Sequence, residues 1–295
     1  MTPGTHRLTA EEYHSDLSAV SNSQLEAFEI APRVYQAKYL TKEIEDDDTS
    51  SLEFGRQFHE LILEPKIFEA KYFSDSEIYL KYPNRTRKNY KDAFKEYALQ
   101  FEGREMIKHA NWIRLQGMKK SLDQTIASKA LSVGDAEITV CWVDEKTGLL
   151  CKGKLDFLAT WMNPKTGEKI PVILDVKTTR DAHPNRFPFE AWKYKYYRKA
   201  AFYLRGTRVA TGIPYKKFAI IAIEKEPPYL YKFFEIPEAW IWSGDKELDD
   251  LLKRFKQCKE TNNYPGHPRE NEFEIMTIPE NYIRWYQDTY GVEEE

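Results

Sequence analysis

The segment Glu137-Ile-Thr-Val-Cys-Trp-Val-Asp-Glu-Lys-Thr-Gly148 carries the clearest structural signal in this 295-residue chain. Residues 137–143 alternate with a period of two, which is typical of a β-strand, and Asp144–Gly148 has the composition of a hairpin turn with glycine where a positive φ is needed. Leu149–Thr160 is predicted to return as the second strand, and Val172–Val176 to form a third. The hairpin and the strand after it therefore predict the centre of a β-sheet.

Helical segments and one more strand surround this hairpin in the sequence. A helix is predicted from about Phe189 to Leu204, and the apolar run Phe218–Ile223 has the character of a buried strand. Before the hairpin, apolar residues recur at the i, i+4, i+7 and i+8 spacing of an amphipathic helix: Phe54, Phe58, Leu61 and Ile62. We therefore expect a single domain over residues 1–295, with a helical N-terminal part (about 1–130) and an α/β (α+β) core (about 131–295).

Composition excludes several classes of protein. Hydrophobic residues make up 41% of the chain and charged residues 31%, which is enough apolar material for a core. The longest apolar run, Phe218–Ile223, is far shorter than the ~20 residues of a membrane span, and the N-terminus lacks the pattern of a signal peptide. The three cysteines form no CxxC unit, so a disulfide framework, structural zinc or an iron–sulfur cluster is not expected. We expect a soluble, cytoplasmic protein without a membrane partner.

Charge is segregated along the chain, although the net charge is only −3. Ile78–Lys120 contains eleven Lys/Arg against four Asp/Glu, and Lys165–Arg208 has the same balance. Two basic segments on a nearly neutral chain are typical of a protein that binds a polyanion on one surface. Two solvated helix faces would give the same counts, and charge alone does not separate these readings.

Two acids and a lysine form the most informative constellation. Asp156 lies in the second predicted strand, and Asp175-Val-Lys177 ends the third. Residues i and i+2 of a strand project from the same face, so Asp175 and Lys177 should lie together, with Asp156 beside them if the strands are neighbours. Two adjacent carboxylates attract a divalent cation, and a nearby lysine can orient water and steady a phosphate. A salt-bridged strand pair would show the same residues.

Several motifs together resemble a known group of nucleases. Asp156 with Asp175-x-Lys177 resembles the PD-(D/E)xK superfamily, and Gly153-x-x-Asp156 resembles its RecB-like branch. The segment Gly55-Arg-Gln-Phe-His59-Glu-Leu-Ile-Leu-Glu-Pro65 is similar to the histidine motif of that branch. The resemblance implies a restriction-endonuclease-like core, in which helices flank a central mixed β-sheet.

Three further stretches, spread over most of the chain, are similar to RecE-like exonucleases: Val20–Glu26 with Pro32-Arg-x-Tyr35, Thr147–Asp156, and Asp175-Val-Lys-Thr-Thr179. This resemblance implies a metal shell made of His59, Asp156, Asp175 and the carbonyl of Val176, with Lys177 as the catalytic lysine. Glu137 matches an acid of the preceding strand that could assist the metal, although a surface glutamate at a strand edge would look the same. His59 by itself would more often be a core histidine, and the other motifs favour the ligand.

The predicted DNA contacts come from the two basic segments and from the end of the third strand: Arg85, Arg87, Lys88, Thr178, Lys199 and Tyr203. At two positions the chain departs from the family pattern. Leu155 replaces a proline, which supplies only backbone shape. Lys199-Ala-Ala-Phe-Tyr203 stands where the family carries QxxxY, so a basic residue replaces an amide near the phosphate.

The resemblance implies a Mg²⁺-dependent exodeoxyribonuclease in which Mn²⁺ can substitute. Such an enzyme would digest double-stranded DNA ends 5′→3′, as a homo-oligomeric ring, and leave 3′ tails for a RecT-like annealing protein in a bacterial cell, encoded by the host, a phage or a prophage. Two alternatives stay open. One is a single-strand or structure-specific nuclease similar to CRISPR adaptation nucleases, and the other is a non-catalytic module that binds DNA ends.

Overall fold

The computed structural model describes residues 1–45, 49–123, 125, 134–162, 166–276 and 289. The end of the predicted helical part (126–130), the first residues of the predicted core (131–133) and most of the chain after 276 lie outside the described residues. The strands are β1 Gly4–His6, β2 Tyr72–Ser74, β3 Glu105–Ile107, β4 Gly134–Val143, β5 Leu150–Met162, β6 Lys169–Thr179, β7 Lys217–Glu224 and β8 Tyr231–Glu235.

Helices precede and connect these strands. They are α1 Ala10–Ser15, α2 Asn22–Ile30, α3 Pro32–Tyr35 with a π-helical turn Gln36–Leu40, α4 Ser50–Leu63, α5 Pro65–Lys71, α6 Ser76–Lys81, α7 Lys88–Ala98 with a 3₁₀ turn Leu99–Phe101, α8 His109–Asp123, α9 Phe187–Lys193, α10 Tyr196–Thr211 and α11 Glu238–Thr261. None of these helices combines the length and the apolar character needed to cross a bilayer.

The main sheet has the strand order β1-β4-β5-β6-β7-β8. The pair β6–β7 is parallel and the other neighbours are antiparallel, so the sheet is mixed. A parallel pair needs a crossover connection, which α9 and α10 supply here. The predicted α/β (α+β) class, with a central mixed sheet between helices, is confirmed.

Helices cover both faces of this sheet. On one face, α2, α10 and α11 bury residues such as Phe28, Phe202 and Leu251 against the strands. On the other face, α4 and α8 contribute Phe58 and Leu115 to a second core. Burial of these side chains is the main favourable term that fixes the helices on the sheet.

The N-terminal part is mainly helical, as predicted, and it also contains the short strands β1, β2 and β3, which the sequence did not predict. β1 pairs with β4, so the first residues of the chain extend the main sheet. A second, two-stranded parallel sheet of β2 and β3 lies between helices of the same part. Strands of three residues carry little pattern, which is why the sequence did not predict them.

The predicted continuous helix over Phe189–Leu204 is wrong in one respect, because it is two helices. Lys195 has a left-handed backbone conformation (φ 52°) that ends α9 and precedes α10. The side chain of Lys195 forms an ion pair with Glu29 of α2, which links this junction to the N-terminal helices.

Candidate active site

The hairpin β4–β5 is irregular at one point along its length. Ala136 pairs with Phe157, and Ile138 pairs with Leu155. Glu137 and Asp156 lie opposite each other between these two pairs, but they do not form a ladder pair themselves. Glu137 has a positive φ of 55°. Leu155 packs in the core under α10, whereas Phe157 packs in the core under α4. Residues i and i+2 therefore point to opposite faces of the sheet here, so the alternation of the strand shifts. A non-glycine residue in this conformation is strained by about 1 kcal/mol or more, and such residues cluster at functional sites.

Glu137 and Asp156 begin a row of acids that continues onto the next strand, β6. The β5–β6 ladder ends at Phe157 paired with Leu174, so Asp156 and Asp175 occupy the next positions across. Instead of a ladder bond, the backbone N–H of Val176 donates to Oδ2 of Asp156 at 2.7 Å. Three acids, from β4, β5 and β6, therefore lie in one row across the sheet.

Helix α4 brings His59 to this row. Thr49 caps the helix, and Phe54, Phe58 and Leu61 hold it against the sheet. Nε2 of His59 lies 2.7 Å from the carbonyl oxygen of Val176. Because a carbonyl only accepts, Nε2 carries the hydrogen, and in the neutral ring Nδ1 presents a lone pair.

That nitrogen faces the acids. Nδ1 of His59 lies 3.7 Å from Oδ2 of Asp156, and ligand atoms of His59, Glu137 and Asp156 all lie within 4.8 Å of one another. An imidazole lone pair and two carboxylates directed at one point repel each other unless a cation lies between them. One nitrogen and two hard oxygens form a donor set that suits a divalent cation.

The surroundings of Glu137 shift the pKa of its carboxyl group upward. Burial raises the pKa of its carboxyl group, and Lys154, whose Nζ lies 2.7 Å from Oε2, partly offsets this effect. Asp156 raises it further by repulsion. The contact with Lys154 was not predicted from the sequence, although Lys154 lies in the Gly153–Asp156 motif.

Asp175 has different surroundings from the other acids. Lys177 Nζ lies 2.5 Å from Oδ2 and Lys199 Nζ lies 2.7 Å from Oδ1, so both oxygens contact an ammonium group. Burial would raise the pKa of this carboxyl group, but the two lysines outweigh it and hold the pKa well below its usual range. The pKa of Lys199 is raised well above its usual value, because the attraction of Asp175 exceeds the effect of burial.

The structure places the predicted metal ligands in two different environments. It brings His59 and Asp156 together, and it adds Glu137 to them. Asp175 is ion-paired with two lysines, and the carbonyl of Val176 accepts hydrogen bonds from His59 and, at 3.2 Å, from Lys177. Among the residues that the structure describes, His59, Glu137 and Asp156 therefore have the arrangement that fits a cation best.

A cavity of about 330 Å³ opens beside this row. Lysines and tyrosines supply much of its lining, and α1 and α2 form one wall: Tyr13, His14, Asn22, Ser23, Glu26, Lys154, Lys177, Tyr196, Lys199 and Tyr203. The ring of Tyr203 lies over Gly153, where a Cβ atom would approach Cε1 of the ring to 2.9 Å. Gly153 therefore leaves room for the ring of Tyr203, which lines the cavity.

The predicted DNA contacts are spread over the molecule. Lys199 and Tyr203 line the cavity, and Thr178 lies beneath Gly55 of α4. Arg87 and Lys88 are exposed at the start of α7. Arg85 is turned inward instead: its Nε donates to the buried carboxylate of Asp75 at 2.7 Å, and its guanidinium lies 4.1 Å from the ring of Tyr79. This position differs from the solvent-facing one that the prediction assumed.

Comparisons with known proteins agree with this fold. Residues 21–276 match the model of a family described as a PDDEXK-like domain of unknown function, DUF3799. The crystal structure of a candidate exonuclease from Eubacterium rectale is similar in fold, with a TM-score of 0.58 and 16% sequence identity, over 97% of this chain and 100% of that one.

A second solved structure, that of SSO0001, aligns with 68% of this chain and 86% of its own, at 13% identity and a TM-score of 0.26, which is too low to carry an argument. No curated protein matches the chain. The family match spans most of the chain and includes every acid of the row, and the similar fold covers nearly all of it. The chain therefore belongs to the DUF3799 family of PDDEXK-like domains of unknown function.

Proposed function

We propose that the protein is a Mg²⁺-dependent, RecE-like exodeoxyribonuclease that acts on the ends of double-stranded DNA. The observation that carries this proposal is the convergence of His59, Glu137 and Asp156 within 4.8 Å, next to the ion pair of Asp175 and Lys177. Donors for a divalent cation and a fixed ammonium group are the parts that hydrolysis of a phosphodiester requires.

His59, Glu137 and Asp156 would hold the cation, which would polarise the phosphate and acidify a water molecule. Other residues of the chain would position the reacting groups. Asp175 holds the ammonium group of Lys177 at the edge of the row, where it can contact a phosphate oxygen. Val176 fixes the orientation of both His59, through its carbonyl, and Asp156, through its N–H.

The cavity supports action at a strand end. Its volume of about 330 Å³ is at the small end of the ~300–1,000 Å³ range of ligand pockets, which suits one nucleotide better than a continuing strand. Lys154 and Lys199 would neutralise a phosphate there, beside the buried rings of Tyr13 and Tyr203. Helices α1 and α2 close one side of the cavity.

The finer features of the proposal rest on the family resemblance. These are 5′→3′ polarity, 3′ tails passed to a RecT-like annealing protein, a ring-shaped homo-oligomer, and a cytoplasmic role in the recombination of a bacterium, phage or prophage. Mg²⁺, with Mn²⁺ as a substitute, follows from the mostly hard-oxygen donor set.

The test compares DNA forms that differ only in their ends. Purified protein is incubated in Mg²⁺ with linear duplex, nicked circle, covalently closed circle and single-stranded circle. The proposal predicts loss of the linear duplex, with the closed and single-stranded circles intact. Duplex labelled at one 5′ or one 3′ end then gives the polarity, since early release of the 5′ label supports 5′→3′ digestion. Cleavage of closed circles would reject exonuclease action.

A further inference from the structure

The junction of α9 and α10 has a distinctive sequence, Lys193-Tyr-Lys-Tyr-Tyr-Arg-Lys199, in which basic and aromatic residues are interleaved. Part of this segment is used inside the protein. Lys195 and Arg198 form ion pairs with Glu29, and the hydroxyl of Tyr197 donates to Glu247 at 2.8 Å. These contacts connect α10 to α2 and α11.

Lys193 and Tyr194 are exposed, whereas Tyr196 is half-buried and its ring also contacts Phe187. The rings of Tyr194 and Tyr196 are stacked, with centroids 6.1 Å apart and planes 23° from parallel. Tyr194 is 54% exposed, so about half of its surface is in solvent. The left-handed conformation of Lys195 between them separates the two helices at this point.

A lysine stands at each end of this pair. Lys177 Nζ lies 5.7 Å from the ring centroid of Tyr196, and Lys193 Nζ lies 5.6 Å from that of Tyr194. Tyr196 also lines the cavity beside the acids. The order Lys177, Tyr196, Tyr194, Lys193 thus forms a file that leads from the candidate catalytic lysine out to solvent.

We propose that this file binds unpaired nucleotides of the strand that is cut, with bases stacked on Tyr194 and Tyr196 and phosphates near Lys177 and Lys193. Internal bases of a duplex have both faces covered by their neighbours, so successive bases of a strand can stack on exposed rings only where the strand is unpaired. The proposal rests on the proposed nuclease function and narrows its substrate: the strand must be unpaired over its terminal nucleotides before it is cut.

The test measures binding without cleavage. Fluorescence anisotropy in EDTA compares a short single strand with the same strand carrying abasic sites, for the wild-type protein, Tyr194→Ala and Tyr194→Phe. Stacking of a base is worth ~1–3 kcal/mol, so Tyr194→Ala should weaken binding of the normal strand about tenfold, and Tyr194→Phe should not. On the abasic strand the two variants should bind equally.

Trp161→Ala is the matched control, because Trp161 is also an exposed aromatic but lies five residues beyond Asp156 on β5, roughly 16 Å along the strand. It should bind both strands like the wild type. Equal affinity of Tyr194→Ala and wild type for the normal strand would overturn the proposal. So would a loss of the same size on the abasic strand, since it would show that no base is involved.

Cleavage separates this proposal from the function on which it rests. In Mg²⁺, wild-type protein should digest a duplex with a frayed 5′ end faster than a fully paired one, and Tyr194→Ala should reduce this preference. If the wild type cleaves neither duplex while the abasic comparison behaves as predicted, the nuclease function fails and the binding site stands. If the wild type cleaves both duplexes and Tyr194→Ala binds normally, the nuclease stands and the binding site fails.

Discussion

The ammonium group of Lys199 lies 2.7 Å from Oδ1 of Asp175, opposite Lys177 on the other carboxylate oxygen. Lys199 stands where the resemblance to RecE-like exonucleases places a glutamine. A glutamine could donate a hydrogen bond to Asp175 but would not neutralise it. In this chain two ammonium groups therefore contact the carboxylate of Asp175. Glu137 contacts one ammonium group, that of Lys154, and Asp156 accepts a hydrogen bond from the backbone N–H of Val176.

Replacing Lys199 tests its role directly. Lys199→Gln keeps a donor for Asp175 and should retain substantial activity. Lys199→Ala removes the charge from the cavity, so it should weaken DNA binding and lower the slope of log K against log salt by about one unit. Binding titrations at several salt concentrations give the slope. An unchanged slope would mean that Lys199 acts on Asp175 alone and does not contact a phosphate.

Asp175→Asn should abolish cleavage and leave DNA binding nearly intact. The amide cannot hold two ammonium groups in place, so Lys177 loses the partner that fixes it, while the basic surface is unchanged. The measurement pairs a nuclease assay with anisotropy of a labelled duplex. Turnover close to that of the wild type would show that the candidate site is elsewhere.

His59→Ala should lower the rate by orders of magnitude. It removes the nitrogen that faces Asp156 and leaves the carbonyl of Val176 without its 2.7 Å donor. Thermal unfolding of the same variant separates the two possible roles. A small change in rate together with a clear fall in melting temperature would identify His59 as a structural residue of the core.

Much of this arrangement follows from local sequence patterns. Period-two alternation predicted β4 and its hairpin, and the i, i+2 spacing correctly placed Asp175 and Lys177 on one face. The apolar spacing around Phe58 predicted the helix that carries His59. Each of these inferences needs only the residues of one element.

The remainder depends on contacts between elements that are distant in the sequence. The shift of alternation at Glu137 and Asp156 coincides with the positive φ of Glu137. A glutamate in the sequence does not predict a positive φ. The pairing of Lys199 with Asp175 requires α10 to lie over β6, and Arg85 could not be assigned to Asp75 without the fold of the β2–β3 region. The sequence predicted the chemistry of these side chains, but it did not predict their partners on distant elements.

Asp75 gives a prediction about stability. Its buried carboxylate accepts hydrogen bonds from Arg85, from the hydroxyl of Tyr90 and from the backbone N–H of His109. Burial raises the pKa of Asp75, but these three donors outweigh it and the pKa is lowered. Asp75→Ala should lower the free energy of unfolding at pH 7 by about 3 kcal/mol, because it leaves buried donors unpaired.

The sign of the pH dependence follows from the same shift. With a folded pKa below the ~3.9 of an unfolded aspartate, the stabilisation is complete above about pH 4 to 5 and is lost as the pH falls through the folded pKa. Denaturant titrations from pH 7 to pH 3 should therefore show a shallower decline for Asp75→Ala than for the wild type. Arg85→Ala should lower stability and leave DNA affinity unchanged, whereas a loss of affinity alone would restore Arg85 as a DNA contact.

The most direct test of the central claim is the metal dependence of hydrolysis. Release of nucleotides from a linear duplex is measured for the wild type and Asp156→Asn in Mg²⁺, Mn²⁺, Ca²⁺ and EDTA. Ca²⁺ binds oxygen donors but is larger and acidifies water less, so it should support DNA binding without cleavage. The account predicts hydrolysis by the wild type in Mg²⁺ or Mn²⁺ only, with Asp156→Asn inactive throughout. Undiminished hydrolysis in EDTA, or by Asp156→Asn in Mg²⁺, would contradict it.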